Sequence, residues 1–181
     1  MKFLRMLAIG FVVLLVAGFV LAFSVYDSYS QLAVHHRAAR ASFADWEAAL
    51  APRRTLMIEL AEMTEVYSPE AGQIVKVAEV LRAETPDGDD VETRAHMHEL
   101  VGSKLAQLRG LALRFPQLRD GDDYREWEAD YLKHEIAEEA ARTAYNSAAR
   151  QYNSVLDSFS GSLITLIFSV QPKPVLSTPA E

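Results

Sequence analysis

The chain reads as an all-α protein: an N-terminal transmembrane helix followed by an antiparallel four-helix, coiled-coil-like bundle. Three observations predict it. From Met6 to Phe23 every residue is apolar or glycine, an uncharged run of 18 residues. As a helix this run covers about 27 Å, close to the hydrocarbon thickness of a bilayer. Beyond it the apolar residues recur at alternating spacings of three and four, the period of one helix face. No segment shows the strict alternation of a half-buried strand.

The N-terminal run is followed by Tyr26 and Tyr29, placed for an interfacial aromatic girdle, and preceded by Lys2 and Arg5, which favour a cytoplasmic N-terminus. Arg37 and Arg40 lie near enough to the far end to count against that orientation. A cleaved signal peptide is the competing reading. The run is longer than the ~7 to 15 residues of a signal core, which favours an uncleaved anchor over residues 1–25. Gly10, Gly18 and Ala22 form a small-residue stripe on it, the geometry of close helix packing in lipid.

Glycines and prolines cluster at Ala51-Pro52, Ser68-Pro69, Pro86-Asp87-Gly88, Pro116 to Gly121 and the tail from Pro172. Between these breaks the first helix is seamed by Tyr29, Leu32, His36, Ala39, Phe43, Trp46 and Leu50, and the second by Leu56, Leu60, Met63, Tyr67, Glu70, Ile74, Val77 and Leu81. The third runs from about Val91 to Phe115, with Asp89 and Glu92 as a capping box. The fourth holds its pattern from Tyr124 through Trp127, Tyr131, His134, Glu138, Ala141, Tyr145, Ala148, Tyr152 and Val155 to Phe159. Phe43, Trp46, Tyr145, Tyr152 and Phe159 form the expected packing and assembly seam, since a sustained period near 3.5 implies coiled-coil packing within a bundle or between chains. Short connections make neighbouring helices antiparallel, and an even count returns the chain to the membrane side. There Leu163, Ile164, Leu166, Ile167 and Phe168 are either an interfacial segment or a strap beneath the bundle. Residues 172–181 read as a flexible tail.

Composition bounds the chemistry. With Lys2 and Arg5 set aside, 16 of the 18 basic residues face 25 acidic ones, a formal charge of −9. A body that acidic lacks the positive footprint phosphate contacts need, which argues against nucleic acid as a partner. The chain has no cysteine, so disulfides and thiolate chemistry are absent. His96 and His98 stand two apart, on opposite sides of a helix, and no Glu-x-x-His motif occurs, so no metal is expected. Neither a nucleophile elbow nor a phosphate-cradling glycine loop is present, and no cofactor or catalytic residue is assigned.

Polar residues intrude on the seams. An unbroken antiparallel hairpin would set His36 level with Glu70, near Tyr152 and Asn153, and would set Arg53 and Arg54 near His134, Glu135 and Glu138. These are expected to form two buried or half-buried polar layers that fix register. The alternative is that their charged tips reach water.

Tyr145-Asn146 and, one heptad on, Tyr152-Asn153, with Phe159, Phe115-Pro116-Gln117-Leu118, Glu135, Arg142, the Arg53-Arg54 pair and the N-terminal anchor, give the chain a resemblance to the LemA family of bacterial membrane proteins. It departs from that pattern at Thr55-Leu56-Met57-Ile58-Glu59-Leu60, at Pro69-Glu70 and at Ser160, which brings it nearer the LemA-like proteins of membrane organelles such as magnetosomes. The resemblance implies an anchored antiparallel helical bundle, over residues 26–171, without established enzymatic activity, and Lys2 and Arg5 favour a single pass through a bacterial inner membrane with the body in the periplasm. The expected function is a membrane-anchored helical scaffold, a homo-oligomer or a dock for a membrane or periplasmic protein, able to shape the membrane. The competing reading is a periplasmic sensing or adaptor module that binds a peptide or small ligand and acts through a partner protein.

Overall fold

The structure is a computed structural model that describes residues 2–86 and 90–177, with side chains except at residues 2–9, 159 and 160. Among the described residues every regular element is helical: α1 (Lys2–Leu50), α2 (Arg53–Glu65), α3 (Glu70–Ala83), α4 (Val91–Ala112), α5 (Pro116–Arg119), α6 (Asp122–Leu156) and α7 (Phe159–Phe168). The chain is an α-helical bundle with one long apolar N-terminal helix. It divides into two compact units, Met1–Arg40 with Ser147–Lys173 and Ala41–Asn146 with Pro174–Glu181.

In the second unit α2, α3 and α4 pack mutually. Their shared core is Leu56, Met57, Leu60 and Ala61 from α2, Ala71, Ile74 and Ala78 from α3, and Leu105, Leu108, Leu111 and Ala112 from α4. The alanines let the helix axes approach, and the leucines fill the space between them. Leu118, Tyr124 and Trp127 join this core, and the Trp127 indole donates to the Leu56 carbonyl at 2.8 Å, which satisfies its buried N–H.

The segment expected as one second helix is two. Pro69 disfavours helical backbone at Ser68 and cannot donate an amide hydrogen, so α2 stops at Glu65, and the Thr64 carbonyl near its end accepts from the Tyr67 and Ser68 amides at 3.0 and 2.9 Å. The restart at Glu70 leaves that side chain exposed in the first turn of α3, where the helix dipole favours an acid. The cap of α4 also differs from expectation by one residue: Asp90 accepts from Thr93 N at 3.1 Å and from Thr93 Oγ1 at 2.7 Å. Asp89 lies outside the described residues.

In the first unit the core is Leu32, Tyr152, Leu156 and Ile164, with Val25, Val155 and Val170 against it. The fourth predicted helix was expected to run to Phe159, but α6 ends at Leu156, so Phe159 belongs to α7; its side chain lies outside the described residues. Ser158 turns the chain, its Oγ accepting from Gly161 N at 3.0 Å as the α7 cap. The turn is tight enough that a Cβ on Gly161 would fall 1.9 Å from Val155 O. Only glycine fits there. α7 closes at Ser169, whose φ of 50° is left-handed.

Candidate functional site

In the second unit α6 carries Arg142, Tyr145 and Asn146, with Tyr145 and Asn146 three and four residues beyond Arg142, so they share a face. Tyr145 is buried and packs edge-on to Phe43 at 5.4 Å. The adjacent Asn146 is half-buried and holds the main chain of Leu176 from both sides. Its Nδ2 donates to Leu176 O at 2.9 Å, while Leu176 N donates to its Oδ1 at 2.8 Å. A carboxamide bonded this way to one residue's N–H and C=O takes the place of a neighbouring β-strand.

Three more bonds complete the clasp. Tyr145 donates its hydroxyl to Pro174 O at 2.9 Å, Arg142 Nη1 donates to Ser177 O at 3.2 Å, and Ser177 Oγ donates to Glu99 Oε1 on α4 at 2.9 Å. Burial pushes the Tyr145 phenol up to about 12, which keeps it a donor at neutral pH. Arg142 is itself buried, and Glu139 three residues back pairs with its guanidinium. The Leu176 side chain is 7% exposed, in a depression lined by Ala95, His96 and Glu99.

The first unit contains a second clasp of the same kind. Asn153 Nδ2 donates to Lys173 O at 2.8 Å, and Lys173 N donates back to Asn153 Oδ1 at 2.8 Å. The Lys173 ammonium stands over the buried Tyr152 ring at 5.3 Å, a cation–π contact. The tail expected to be flexible is therefore pinned at least to Ser177, because each Tyr-Asn pair supplies hydrogen bonds that a proline-interrupted segment cannot make with itself. Residues 178–181 lie outside the described residues.

Of the polar residues expected in buried layers, Arg53 and Glu138 are paired, both nearly buried, with Arg53 Nη1 also donating to His98 O at 3.4 Å. Gly102 makes room for this guanidinium, since a Cβ there would lie 2.9 Å from Arg53 Nη1. A second pair joins Arg94 to Glu47, whose other oxygen meets His98 Nε2 at 3.2 Å. Arg54 instead pairs with Glu79 at 2.9 Å in the open, and Glu135 is half-buried. His36 and Glu70 are both exposed, so neither belongs to a buried layer; the break at Ser68-Pro69 removes the unbroken hairpin that would have levelled them. His36 contributes its ring to the Tyr152 face at 5.9 Å, and Asn153 serves the tail. Phe43, Trp46, Tyr145 and Tyr152 are buried within the chain's own core, which takes them out of any surface seam between copies.

The other prominent surface is apolar and belongs to the first unit. Residues 10–23 of α1 are exposed, and by length and composition this helix can cross a membrane, with a mean hydropathy of 2.1 and none of its apolar window buried. α7 is amphipathic about Ile164: that side chain is fully buried, Leu163 is half-buried, and Leu166, Ile167 and Phe168 are 80, 66 and 60% exposed. Phe168 meets Tyr29 at 6.1 Å between ring centres, and an apolar groove lined by Leu21, Val25, Tyr26 and Leu163 lies beside them.

Asn146 and Glu99 are the functional residues that periodicity alone passes over, since neither occupies a seam position. The doubled Tyr-Asn is the sequence signal that points to Asn146, and no such signal marks Glu99.

A family model, described as the LemA family, matches residues 42–181. No curated protein matches the chain.

Proposed function

We propose, from the premise that the chain belongs to the LemA family, that this protein is a non-enzymatic, membrane-anchored helical scaffold that docks proteins at a membrane surface. The apolar half of α1 spans the bilayer once, and α7 lies in the headgroup region beside its end. The observation that carries the reading is the outward row Leu166-Ile167-Phe168 next to Tyr29, which follows directly on the apolar run of α1. Three large apolar side chains more than half exposed on one short helix are costly in water, at roughly 25 cal/mol for each Å² of apolar surface, and well placed in an interface. The orientation that Lys2 and Arg5 favour puts the second unit on the periplasmic side of a bacterial inner membrane, where copies of the chain self-associate or hold a membrane or periplasmic partner.

The absence of native cysteine makes the test clean. Single Leu166→Cys and Phe168→Cys variants carrying an environment-sensitive fluorophore are expected to shift to the blue in phosphatidylcholine vesicles, while Val66→Cys, 83% exposed in the second unit, stays in an aqueous environment. An aqueous signal from both α7 positions in the reconstituted full-length chain would overturn the interfacial placement. Labelling of Val66→Cys by an impermeant maleimide added outside spheroplasts reads the orientation, and protection there would reverse it.

A further inference from the structure

We infer that the clasp of the second unit is a binding site for an extended peptide of the pattern Pro-x-Leu-Ser, and that the chain's own tail is its resident, displaceable occupant. The inference goes beyond the anchor reading and does not depend on it, because Glu99, Arg142, Tyr145 and Asn146 all lie in the second unit.

The chemistry of the contacts defines the ligand. Four of the five described hydrogen bonds reach main-chain atoms, at Pro174 O, Leu176 O, Leu176 N and Ser177 O, and the fifth reaches the Ser177 hydroxyl. A site that reads main chain accepts any segment that is extended and offers those atoms in order, as sheet edges do in strand addition. Selectivity then comes from the side chains it encloses. Leu176 is buried and calls for an aliphatic residue, Val175 is 44% exposed and leaves its position open, and Ser177 answers the Glu99 carboxylate. Pro174 fixes its own φ and holds the residue before it extended, so the segment arrives with little conformational entropy left to lose.

Displaceability follows from how the occupant is held. Residues 170–177 belong to no helix or strand, so the resident segment is retained by side chains reaching to it. Another segment of the same pattern can replace it without opening a helix. Whatever occupies the site must compete with the tail, which keeps the apparent affinity for partners low until the tail leaves.

The test uses the full-length chain in mild detergent and a fluorescent peptide of residues 170–181. Leu176→Asp frees the resident tail, because a carboxylate is poorly tolerated in the depression that Leu176 fills. The peptide is expected to bind this variant saturably, and to bind the wild-type chain at least about tenfold more weakly because the site there is filled. Adding Asn146→Ala to Leu176→Asp, or placing Leu176→Asp in the peptide instead, is expected to abolish binding. On the isotopically labelled wild-type chain, excess unlabelled peptide is expected to move the resident Leu176 amide resonance to its random-coil position, a readout that needs no variant. No saturable binding to a Leu176→Asp chain of unchanged helicity, equal binding with and without Asn146, or a Leu176 amide unmoved by excess peptide would overturn the inference.

Discussion

The two Tyr-Asn pairs are the same dipeptide set in two different units, and they divide their labour differently. Each asparagine does one thing: Asn146 closes on Leu176 and Asn153 on Lys173, with both an N–H and a C=O engaged. The tyrosines diverge. Tyr145 spends its hydroxyl on Pro174 O and its ring on Phe43, whereas Tyr152 offers its ring face to the Lys173 ammonium and to His36. The amide is the invariant tool because main chain is the same everywhere, and the aromatic residue adapts to whichever side chains the tail presents. The units differ in what surrounds the clasp as well. The second unit also holds a broad leucine-rich core, whereas in the first Tyr152 shares a small core with Ile164 of α7.

The sharpest way to break the comparison is Gly161→Ala, which puts a methyl group into Val155 O and Leu156. About 3 kcal/mol of destabilisation is expected, the upper part of the overpacking range, since backbone must move. Denaturant melts should show the first unit loosening, read by a fluorophore on Phe168→Cys, while near-ultraviolet signals from Trp127 persist. Next in size is the asparagine pair. Asn146→Ala and Asn153→Ala each remove two hydrogen bonds, about 2 kcal/mol together, with partial recovery as the freed tail meets water. Comparable losses from the two variants would support a shared role, and a neutral Asn153→Ala would confine the clasp to the second unit.

A pH profile separates the two tyrosine environments. Burial raises the Tyr145 phenol from its usual 10.0 to about 12 and also raises Tyr152. The folded chain keeps a proton that the unfolded chain has already released above pH 10, so this contribution is intact below pH 10 and is lost as pH climbs through about 12. Tyr145→Phe is expected to flatten that alkaline loss; an unchanged profile would place its origin elsewhere. The smallest effect belongs to Ser169, the left-handed residue where α7 ends. Ser169→Gly should relieve strain there, with a gain below about 1 kcal/mol after the added freedom of the unfolded chain is subtracted.

Much of the fold was legible because a helix face repeats locally. The seams placed Phe43, Trp46, Tyr145 and Tyr152 in the interior, and residue arithmetic along antiparallel helices brought Arg53 to Glu138. What escaped the periodicity has identifiable causes. The proline at 69 split a seam whose apolar spacing continues through the break, and the cap at Ser158 with the close approach at Gly161 ended α6 before the pattern did. The tail escaped for a different reason. Its prolines announce only that it makes no helix, while the groups that hold it are 20 and 30 residues away in sequence, beyond any local repeat. An amide residue beside each of two seam tyrosines, Asn146 and Asn153, was the available clue.

Amide hydrogen exchange at Lys173 and Leu176, measured on the full-length chain in detergent micelles, tests the clasp most directly. Both amides are expected to exchange far more slowly than in an unstructured peptide, Leu176 becoming fast in Asn146→Ala and Lys173 in Asn153→Ala. Exchange at unstructured-peptide rates in the wild-type chain would contradict the account.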